Sequence, residues 1–443
     1  MVRTSTRTVV VGAGSAGCVV ASRLTERDDH EVVLLESGPD LAPGDVPEAI
    51  DGPDFLRALE LPDRTITGLV ASRVTGGPRA PYRRGSGLGG SSAVNALVAL
   101  RGDPETYRRW GWDEAGAAWS KVALPEEPPH DDELGAVDRA LLAAAPDAHP
   151  APLTRRDGRR ITSAEAYLWP ALTRTNLAVR ARAPVARVVF QGRTAVGVEL
   201  ADGEHVEADR VVLAAGALHS PALLLRSGVD TAGVGQGLQD HPSVALTLRL
   251  REDVPTSPVG LVIGSLCRRG GVQFLPMNHV GADAPGLGVL LVALMTPRSR
   301  GGTVALDPDE PSGQPVVDLA LLGDPADADA LVAGIAEARR LLAAPSFAEI
   351  ADRVLIDAWG TPIDELGDEQ AVRRWLPTVV GDYVHATSTC AMGTVVDRDG
   401  AVQGYERLHV CDASVFPTIP DANTHLPTTM LAELLVGRWS ERR

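Results

Sequence analysis

Three glycines near the N-terminus have the spacing of a phosphate-binding turn. Gly12, Gly14 and Gly17 form a GxGxxG pattern directly after a short β-branched run. In such a turn the first glycine permits the tight bend, the second lets the backbone approach a pyrophosphate, and the third allows a helix to pack on a strand. The N-terminus of the helix that follows the turn offers unpaired N–H groups and a partial positive charge to the phosphates.

An acidic residue follows the turn at the distance expected for a ribose-binding carboxylate. Glu36, next to Ser37, lies nineteen residues after Gly17 and ends the apolar segment 31–35. A carboxylate at the end of the second strand accepts both hydroxyls of an adenosine ribose. Strand, turn, helix and strand within about 30 residues predict a dinucleotide-binding unit, and the motif alone leaves FAD and NAD both open.

A second glycine-rich segment, GSGLGGSSAVN, spans residues 85–95. Its four glycines and three serines in eleven positions let a backbone press closely against a flat ligand. The apolar residues 96–100 follow directly, which favours an ordered loop over a flexible linker.

Two polar clusters close the chain and carry groups suited to proton transfer. The first is HATSTCAMG at 385–393, and the second is NTHLPTTM at 423–430, preceded by CDASVFP at 411–417. Imidazole groups change charge near neutral pH. A lone histidine is more often structural, but here His385 and His425 each lie within a polar cluster.

The elements that position these groups are predicted from apolar runs and turn residues. Ser220-Pro221 is expected to open an apolar helix over 222–226, because proline is tolerated in a first helical turn. A sheet with helices on one side is expected over 250–375. The individual predictions are strands at 8–11, 31–35, 210–213 and 289–294, helices at 18–26 and 327–341, and a polar hairpin at 201–207.

Composition excludes several classes of protein. The 443 residues exceed the roughly 250–300 that one core supports, so two domains are expected.

A net charge of −16 argues against nucleic acid, and no apolar stretch approaches the ~18–20 residues of a membrane-spanning helix. No targeting peptide is evident, so a cytoplasmic protein is expected, with peripheral membrane attachment left open. No paired spacing joins the cysteines, which predicts free thiols and no metal site: Cys18, Cys267, Cys390 and Cys411.

Six segments, in order, resemble the glucose–methanol–choline (GMC) family of FAD-dependent oxidoreductases. They are GAGSAG with LLESG, GLGGSSAVN, AAGALHSPALLLRSGV, VGQGLQDHP, HATSTCAMG, and VCDASVFP with NTHLPTTMLAE. The resemblance implies an α/β fold, with a discontinuous Rossmann-like FAD-binding domain and a smaller α+β substrate domain built on an antiparallel sheet. The expected domains are 1–112, 153–245 and 378–443 for FAD and 246–377 for substrate, joined by an acidic, proline-rich connecting segment at 113–152.

The resemblance also implies a reaction and the residues that perform it. The family oxidises an alcohol to a carbonyl with hydride transfer to flavin N5, and the hydroxyl must lose its proton before or during that step. His385 matches the family's base. Asn423 matches the second residue that binds the alcohol oxygen, and His425 remains the competing candidate for that place.

Further positions of the family's pattern imply cofactor contacts. Asp412 and Ala413 match contacts to the pyrophosphate and ribitol, Thr428 approaches the pyrimidine side of the flavin, and the backbone of Val185 meets the adenine. Val94 stands where some members carry a flavin-linking histidine, so FAD is expected to be noncovalent. The full set of expected cofactor-binding residues is Gly12, Gly14, Ser15, Ala16, Gly17, Glu36, Ser37, Gly87, Gly90, Ser91, Asn95, Val185, Ala215, Asp412, Ala413 and Thr428.

The chain is short for a family that often exceeds about 500 residues. With its NTHLPTTM ending it resembles the bacterial branch associated with mycofactocin, so the donor is expected to be a small alcohol or reduced mycofactocin. The electron acceptor stays open between O₂, a quinone and another carrier. An NAD-dependent dehydrogenase would not require the GLGGSS loop, and a non-redox flavin lyase or sensor would show no bleaching by substrate.

Overall fold

The computed structural model describes residues 5–255, 257–357 and 359–441. The strands are β1 (Thr6–Val11), β2 (His30–Leu35), β3 (Val70–Ser72), β4 (Arg79–Pro81), β5 (His149–Pro150), β6 (Arg155–Arg156), β7 (Arg159–Arg160), β8 (Leu177–Arg180), β9 (Val185–Gln191), β10 (Thr194–Leu200), β11 (His205–Glu207), β12 (Arg210–Leu213), β13 (Gln236–Leu238), β14 (Ser243–Leu250), β15 (Ser265–Arg269), β16 (Val272–Met277), β17 (Leu287–Leu294), β18 (Gly302–Ala305), β19 (Val316–Asp318), β20 (Ala351–Leu355) and β21 (Leu408–Val410). The α-helices are α1 (Ser15–Leu24), α2 (Glu48–Asp51), α3 (Phe55–Glu60), α4 (Pro104–Arg109), α5 (Ala115–Trp119), α6 (Ala136–Ala144), α7 (Trp169–Ala171), α8 (Gly216–Arg226), α9 (Pro325–Leu342), α10 (Pro345–Ile350), α11 (Glu369–Val379) and α12 (His425–Glu441).

The first sheet is parallel, with strand order β21-β12-β1-β2-β8. Val9 lies opposite Val33 on one side and Val211 on the other, and it is fully buried. Parallel strands are covered on both faces, which accounts for their continuous apolar runs. Helix α1 packs between this sheet and α12. The Rossmann-like part of the predicted fold is confirmed.

The second large sheet is antiparallel, with strand order β20-β14-β17-β16-β15-β5. Helix α9 lies across β16 and β17, and Gly334 of this helix faces Val272 and Val292. A β-carbon at Gly334 would stand 3.2–3.3 Å from these two valines, so the glycine lets the helix approach the sheet closely. This is the antiparallel sheet that the family resemblance implied for the substrate domain.

Part of the segment 113–152 belongs to the core of the second sheet. Helix α6 packs on β15 and β16, and its Val137 and Leu141 are buried among the residues of that core. The carboxylate of Asp138 accepts hydrogen bonds from the side chains of Asn278 and Ser265, at 2.5 and 2.9 Å. The loop character expected from the acidic, proline-rich composition is present over 125–130, and a short 3-10 helix follows at Asp131–Glu133. The domain boundaries themselves stay a prediction.

Helix α8 begins earlier than predicted, and the expectation that Pro221 opens it is wrong. The helix starts at Gly216, whose φ of +81° suits glycine, and Pro221 lies inside it. Proline has no N–H, so it leaves the carbonyl of Ala217 one turn earlier without a helical donor. The hydroxyl of Thr389 donates to that carbonyl at 2.6 Å, which is why an internal proline is tolerated.

The four cysteines are buried and free, as predicted. Among the described helices, none combines the length and the apolar character needed to cross a bilayer.

Candidate active site

A cavity of about 1450 Å³ lies between the two large sheets and is lined by the carboxyl ends of β1 and β2, the start of α1, the loop 85–98 and the start of α12. Its volume exceeds the roughly 300–1,000 Å³ of an ordinary ligand pocket, which leaves room for a dinucleotide beside a small substrate. Of the predicted cofactor-binding residues, Gly17 and Gly87 lie behind the wall. The predicted site residues that line the cavity are Gly12, Gly14, Ser15, Ala16, Glu36, Ser37, Gly90, Ser91, Asn95, Val185, Ala215, His385, Asp412, Ala413, Asn423, His425 and Thr428.

The start of α1 combines an uncapped helix end with the three glycines of the turn. Among the described residues no side chain caps this helix, and its first turn holds no acidic residue. A β-carbon built on Gly14 meets no described atom within 4 Å, whereas one on Gly17 would stand 1.8 Å from the carbonyl oxygen of Gly12. Gly12 has a φ of +99°, in the left-handed region. Gly12 thus forms the tight turn and Gly17 lets the helix pack closely, while the open face of Gly14 leaves room for the predicted pyrophosphate.

Glu36 joins three segments around the cavity. One carboxylate oxygen accepts from the backbone N–H of Ala13 at 2.8 Å, and the other accepts from those of Gly38 and Gly87 at 2.9 and 3.1 Å. The residue lines the cavity although it is largely buried. From behind the cavity wall, Gly87 thus holds the carboxylate of Glu36, the group predicted to bind the ribose.

Asp412 ties the C-terminal cluster to helix α8. One oxygen accepts from Ser414, through its backbone N–H at 2.8 Å and its hydroxyl at 2.5 Å. The other oxygen accepts from the backbone of Gly216 at 2.9 Å and the hydroxyl of Ser220 at 2.5 Å. With four donors already bound, the carboxylate fixes this part of the cavity wall, which Asp412 and Ala413 line.

The backbone around His385 is held by a buried aspartate. One oxygen of Asp240 accepts from the backbone N–H groups of His241, Tyr383 and His385, at 2.7, 3.3 and 3.0 Å. The other accepts from the hydroxyl of Tyr82 at 2.6 Å. Through these four hydrogen bonds, Asp240 holds the backbone next to His385 in place.

Residue 384 shows why such anchoring is needed. Val384 has a φ of +52°, a conformation that β-branched residues rarely adopt. The guanidinium of Arg84 donates to the carbonyl of Val384 and holds it in place. Strain of this kind persists only where the surroundings impose it, and it is concentrated at functional sites.

The ring of His385 lies between a second histidine and the cavity. Its Nδ1 is 2.9 Å from Nδ1 of His241, and the edge of Tyr383 packs against it with ring centres 4.8 Å apart. In the described part of the chain its Nε2 has no hydrogen-bond partner, and the residue lines the cavity. Burial lowers the pKa of His385 well below its ordinary value, and His241 and Arg84 lower it further. The ring is therefore neutral at physiological pH, as a general base must be.

The two candidates for the second position have different surroundings. The side-chain oxygen of Asn423 lies 3.5 Å from Nε2 of Gln273, a weak contact at the edge of the cavity. Both ring nitrogens of His425 are engaged, Nδ1 with Asn95 at 3.3 Å and Nε2 with Ser163 at 3.1 Å. Burial lowers the pKa of His425 to about 4. Among the described residues the amide nitrogen of Asn423 therefore has no hydrogen-bond partner, whereas both ring nitrogens of His425 have one.

Beyond the histidine, the cavity has an apolar wall. Leu275 and Met277 on β16 and Leu291 on β17 line it, together with Ile263 just before β15. These residues come from the antiparallel sheet and give a small organic molecule an apolar surface next to His385.

Asp240, His241, Tyr82 and Arg84 received no function in the sequence analysis. Asp240 and His241 lie in the VGQGLQDHP segment, so the motif was found but its function was not. The neighbouring Asp240 and His241 were the signal that could have indicated a function, because charged and polar groups that become buried need specific partners.

A Rossmann-like domain whose cavity runs from a phosphate turn to a buried neutral histidine under a second sheet defines a dinucleotide-dependent oxidoreductase. The chain belongs to the GMC oxidoreductase family: the N-terminal family model matches residues 6–125 and 148–243, and the C-terminal model matches 297–432.

Individual relatives span nearly the whole chain. A 5-(hydroxymethyl)furfural oxidase of Methylovorus sp. (strain MP688) is 33% identical, over 96% of this chain and 97% of its own length. An alcohol dehydrogenase [acceptor] of Pseudomonas putida is 28% identical, over 96% of this chain and 94% of its own. Among solved structures, pyridoxine 4-oxidase from Mesorbium loti has a TM-score of 0.88 at 25% identity and covers 99% of this chain and 100% of its own.

Proposed function

We propose that the protein binds FAD noncovalently and oxidises an alcohol to a carbonyl, with His385 as the base. One observation carries the proposal: a single cavity joins the uncapped start of α1 and Glu36 to the neutral ring of His385. The names of the relatives, which include an oxidase of a hydroxymethyl compound and an alcohol dehydrogenase, support an alcohol as the substrate.

The residues present fit the cofactor. The start of α1 would hold the pyrophosphate, Glu36 the adenosine ribose, and the loop 85–95 the flavin. Val94 offers no nucleophile for a covalent link, which supports noncovalent binding. When bound, FAD supplies the two-electron acceptor that takes the hydride from the alcohol carbon.

The chain itself provides the proton chemistry. Nε2 of His385, the ring nitrogen that has no partner in the described part of the chain, takes the proton of the substrate hydroxyl. The oxygen of Asn423 faces Gln273, and its amide NH₂ group, which has no partner among the described residues, can donate to the alcohol oxygen. The apolar wall of Leu275, Met277 and Leu291 excludes water and favours an alcohol with an apolar body.

For the electron acceptor, we propose a dehydrogenase that reduces a quinone-like or respiratory carrier. The compact chain and its NTHLPTTM ending support this, and they place reduced mycofactocin among the donors to be tested. Peroxide formed as fast as the alcohol is consumed would instead identify an oxidase that uses O₂.

The proposal is tested on the purified protein under anaerobic conditions. We expect flavin absorbance in the preparation, release of the flavin into the supernatant on acid precipitation, and bleaching by members of a panel of apolar primary alcohols and reduced mycofactocin. A protein without flavin that reduces NAD would support the NAD-dependent alternative. A flavin that no alcohol bleaches would support the lyase or sensor alternative and contradict the proposed reaction.

A further inference from the structure

We propose that His241 is a positioning residue that fixes the proton of His385 on Nδ1, so that Nε2 presents its lone pair to the substrate. This inference rests on the proposed function of His385 as the base, and it assigns the base to one ring atom through a residue 144 positions away.

The rings of His241 and His385 are in direct contact. Nδ1 of His241 and Nδ1 of His385 are 2.9 Å apart, with the ring planes at 85°. A hydrogen bond at this distance needs one donor and one acceptor, so one of these two nitrogens carries a proton and the other does not.

The other ring nitrogen of His241, Nε2, contacts a backbone carbonyl. Its Nε2 lies 3.0 Å from the carbonyl oxygen of Pro420, and a carbonyl oxygen only accepts. Nε2 of His241 therefore carries a proton. Because burial lowers the pKa of His241 to about 3, the ring is neutral and has one N–H only. Nδ1 of His241 is then the acceptor, and Nδ1 of His385 is the donor.

In the described part of the chain, the charged groups near the two histidines do not bind their ring nitrogens. The carboxylate of Asp240 binds backbone N–H groups and Tyr82 rather than either ring, and the described residues place no other carboxylate on them. Arg84 and Arg268 contribute positive charge nearby, and the backbone of Met295 favours a protonated His241 as that of Pro420 does. Of these two backbone groups, the carbonyl of Pro420 is the one within hydrogen-bond distance of a ring nitrogen among the described residues. The chain from Pro420 through His241 to His385 therefore determines the tautomer.

The arrangement also acts after the proton has moved. The proton leaves the substrate oxygen for Nε2 of His385, which becomes an imidazolium with two N–H groups. Its Nδ1–H continues to donate to His241, so the new charge keeps a fixed, neutral acceptor. A neutral acceptor stabilises the imidazolium less than a carboxylate would, which favours loss of the Nε2 proton to water once the carbonyl product leaves.

Two variants of similar size separate positioning from packing. In His241→Asn, the amide oxygen stands near the place of Nδ1 and still accepts from His385. In His241→Gln, the amide NH₂ reaches toward Pro420 but no acceptor stands at Nδ1. Outer hydrogen-bond partners of a functional histidine contribute about 10–100-fold, so we expect His241→Gln to slow flavin reduction at least ~10-fold more than His241→Asn. Flavin content and the melting temperature check that both variants fold.

A second measurement needs no turnover. In the purified flavin-containing protein labelled with ¹⁵N-histidine, with assignments from His241→Gln and His385→Asn, NMR is expected to show a protonated Nδ1 on His385 and an unprotonated Nδ1 on His241. The reverse tautomers, or equal rates in folded His241→Gln and His241→Asn, would overturn the inference. If the wild-type flavin is not reduced by any alcohol, the proposed function fails instead, and the NMR result still decides the tautomer.

Discussion

At the scale of single residues, the proposed base works as a buried, neutral ring. An unperturbed histidine has a pKa of about 6.5. Burial, followed by His241 and Arg84, holds the pKa of His385 well below that. Since a base must be unprotonated, the rate of flavin reduction should stay nearly constant between about pH 6 and 8 and fall only at more acid pH. Anaerobic flavin reduction across this range tests this, and a limb centred near pH 6.5 that disappears in His385→Ala would contradict it.

Gly14 provides a second test at this scale. In Gly14→Val the side chain enters open space on the protein side, so the fold should persist, but it occupies the place of the pyrophosphate. We expect an apoprotein with little flavin and the melting temperature of flavin-free wild type. Gly17→Val is the matched control, because its β-carbon would stand 1.8 Å from Gly12 and should disrupt the fold itself. Full flavin content in Gly14→Val would refute a pyrophosphate at this turn.

At the scale of elements, helix α8 depends on a hydroxyl from another segment. Thr389→Val removes the donor to the carbonyl of Ala217, and a buried unsatisfied carbonyl costs about 1–3 kcal/mol. Pro221→Ala restores a helical N–H to the same carbonyl. We therefore expect Thr389→Val to lower the free energy of unfolding by less in the Pro221→Ala background.

The double-mutant cycle is measured by urea unfolding of the four proteins. Equal costs of Thr389→Val in both backgrounds would show that the hydroxyl does not replace the missing helical bond.

The same elements show what the sequence could predict. The glycine turn, Glu36 and the parallel strands were predicted because their chemistry is local, within one strand–turn–helix–strand unit. The His241–His385 pair was not predicted, because the two residues meet only when β14 and the C-terminal segment come together. Helix α8 was predicted too short because Thr389, which makes an internal proline tolerable, lies far along the chain. Helix α6 was missed because the acidic, proline-rich stretch before it dominates the composition of its segment.

At the scale of the whole molecule, the buried histidines link stability to pH. Burial lowers the pKa of five of them: His219, His241, His385, His409 and His425. The unfolded chain, with histidine pKa values of about 6.5, then binds more protons than the folded chain below that pH. The free energy of unfolding should therefore rise with pH between about 4 and 6.5.

Three buried carboxyl groups oppose this trend, because burial raises the pKa values of Asp138, Asp240 and Asp412. Since five histidines act against three carboxyl groups, the free energy of unfolding should still rise with pH in this range. Urea unfolding with excess FAD at several pH values in this range is the test. Stability that is unchanged or greater at the acid end would contradict the neutral, buried state of the histidines.

The central claim is that His385 takes the hydroxyl proton while FAD takes the hydride, and one measurement tests it most directly. Anaerobic stopped-flow reduction of the flavin by an active alcohol is compared in wild type, His385→Ala, Asn423→Ala and His425→Ala. A general base contributes roughly 10²–10⁴-fold, so His385→Ala should reduce at least ~100-fold more slowly with a normal flavin spectrum. Asn423→Ala and His425→Ala should each lose less. Near-wild-type reduction by His385→Ala, together with a large loss in His425→Ala, would contradict the account and move the base to the second histidine.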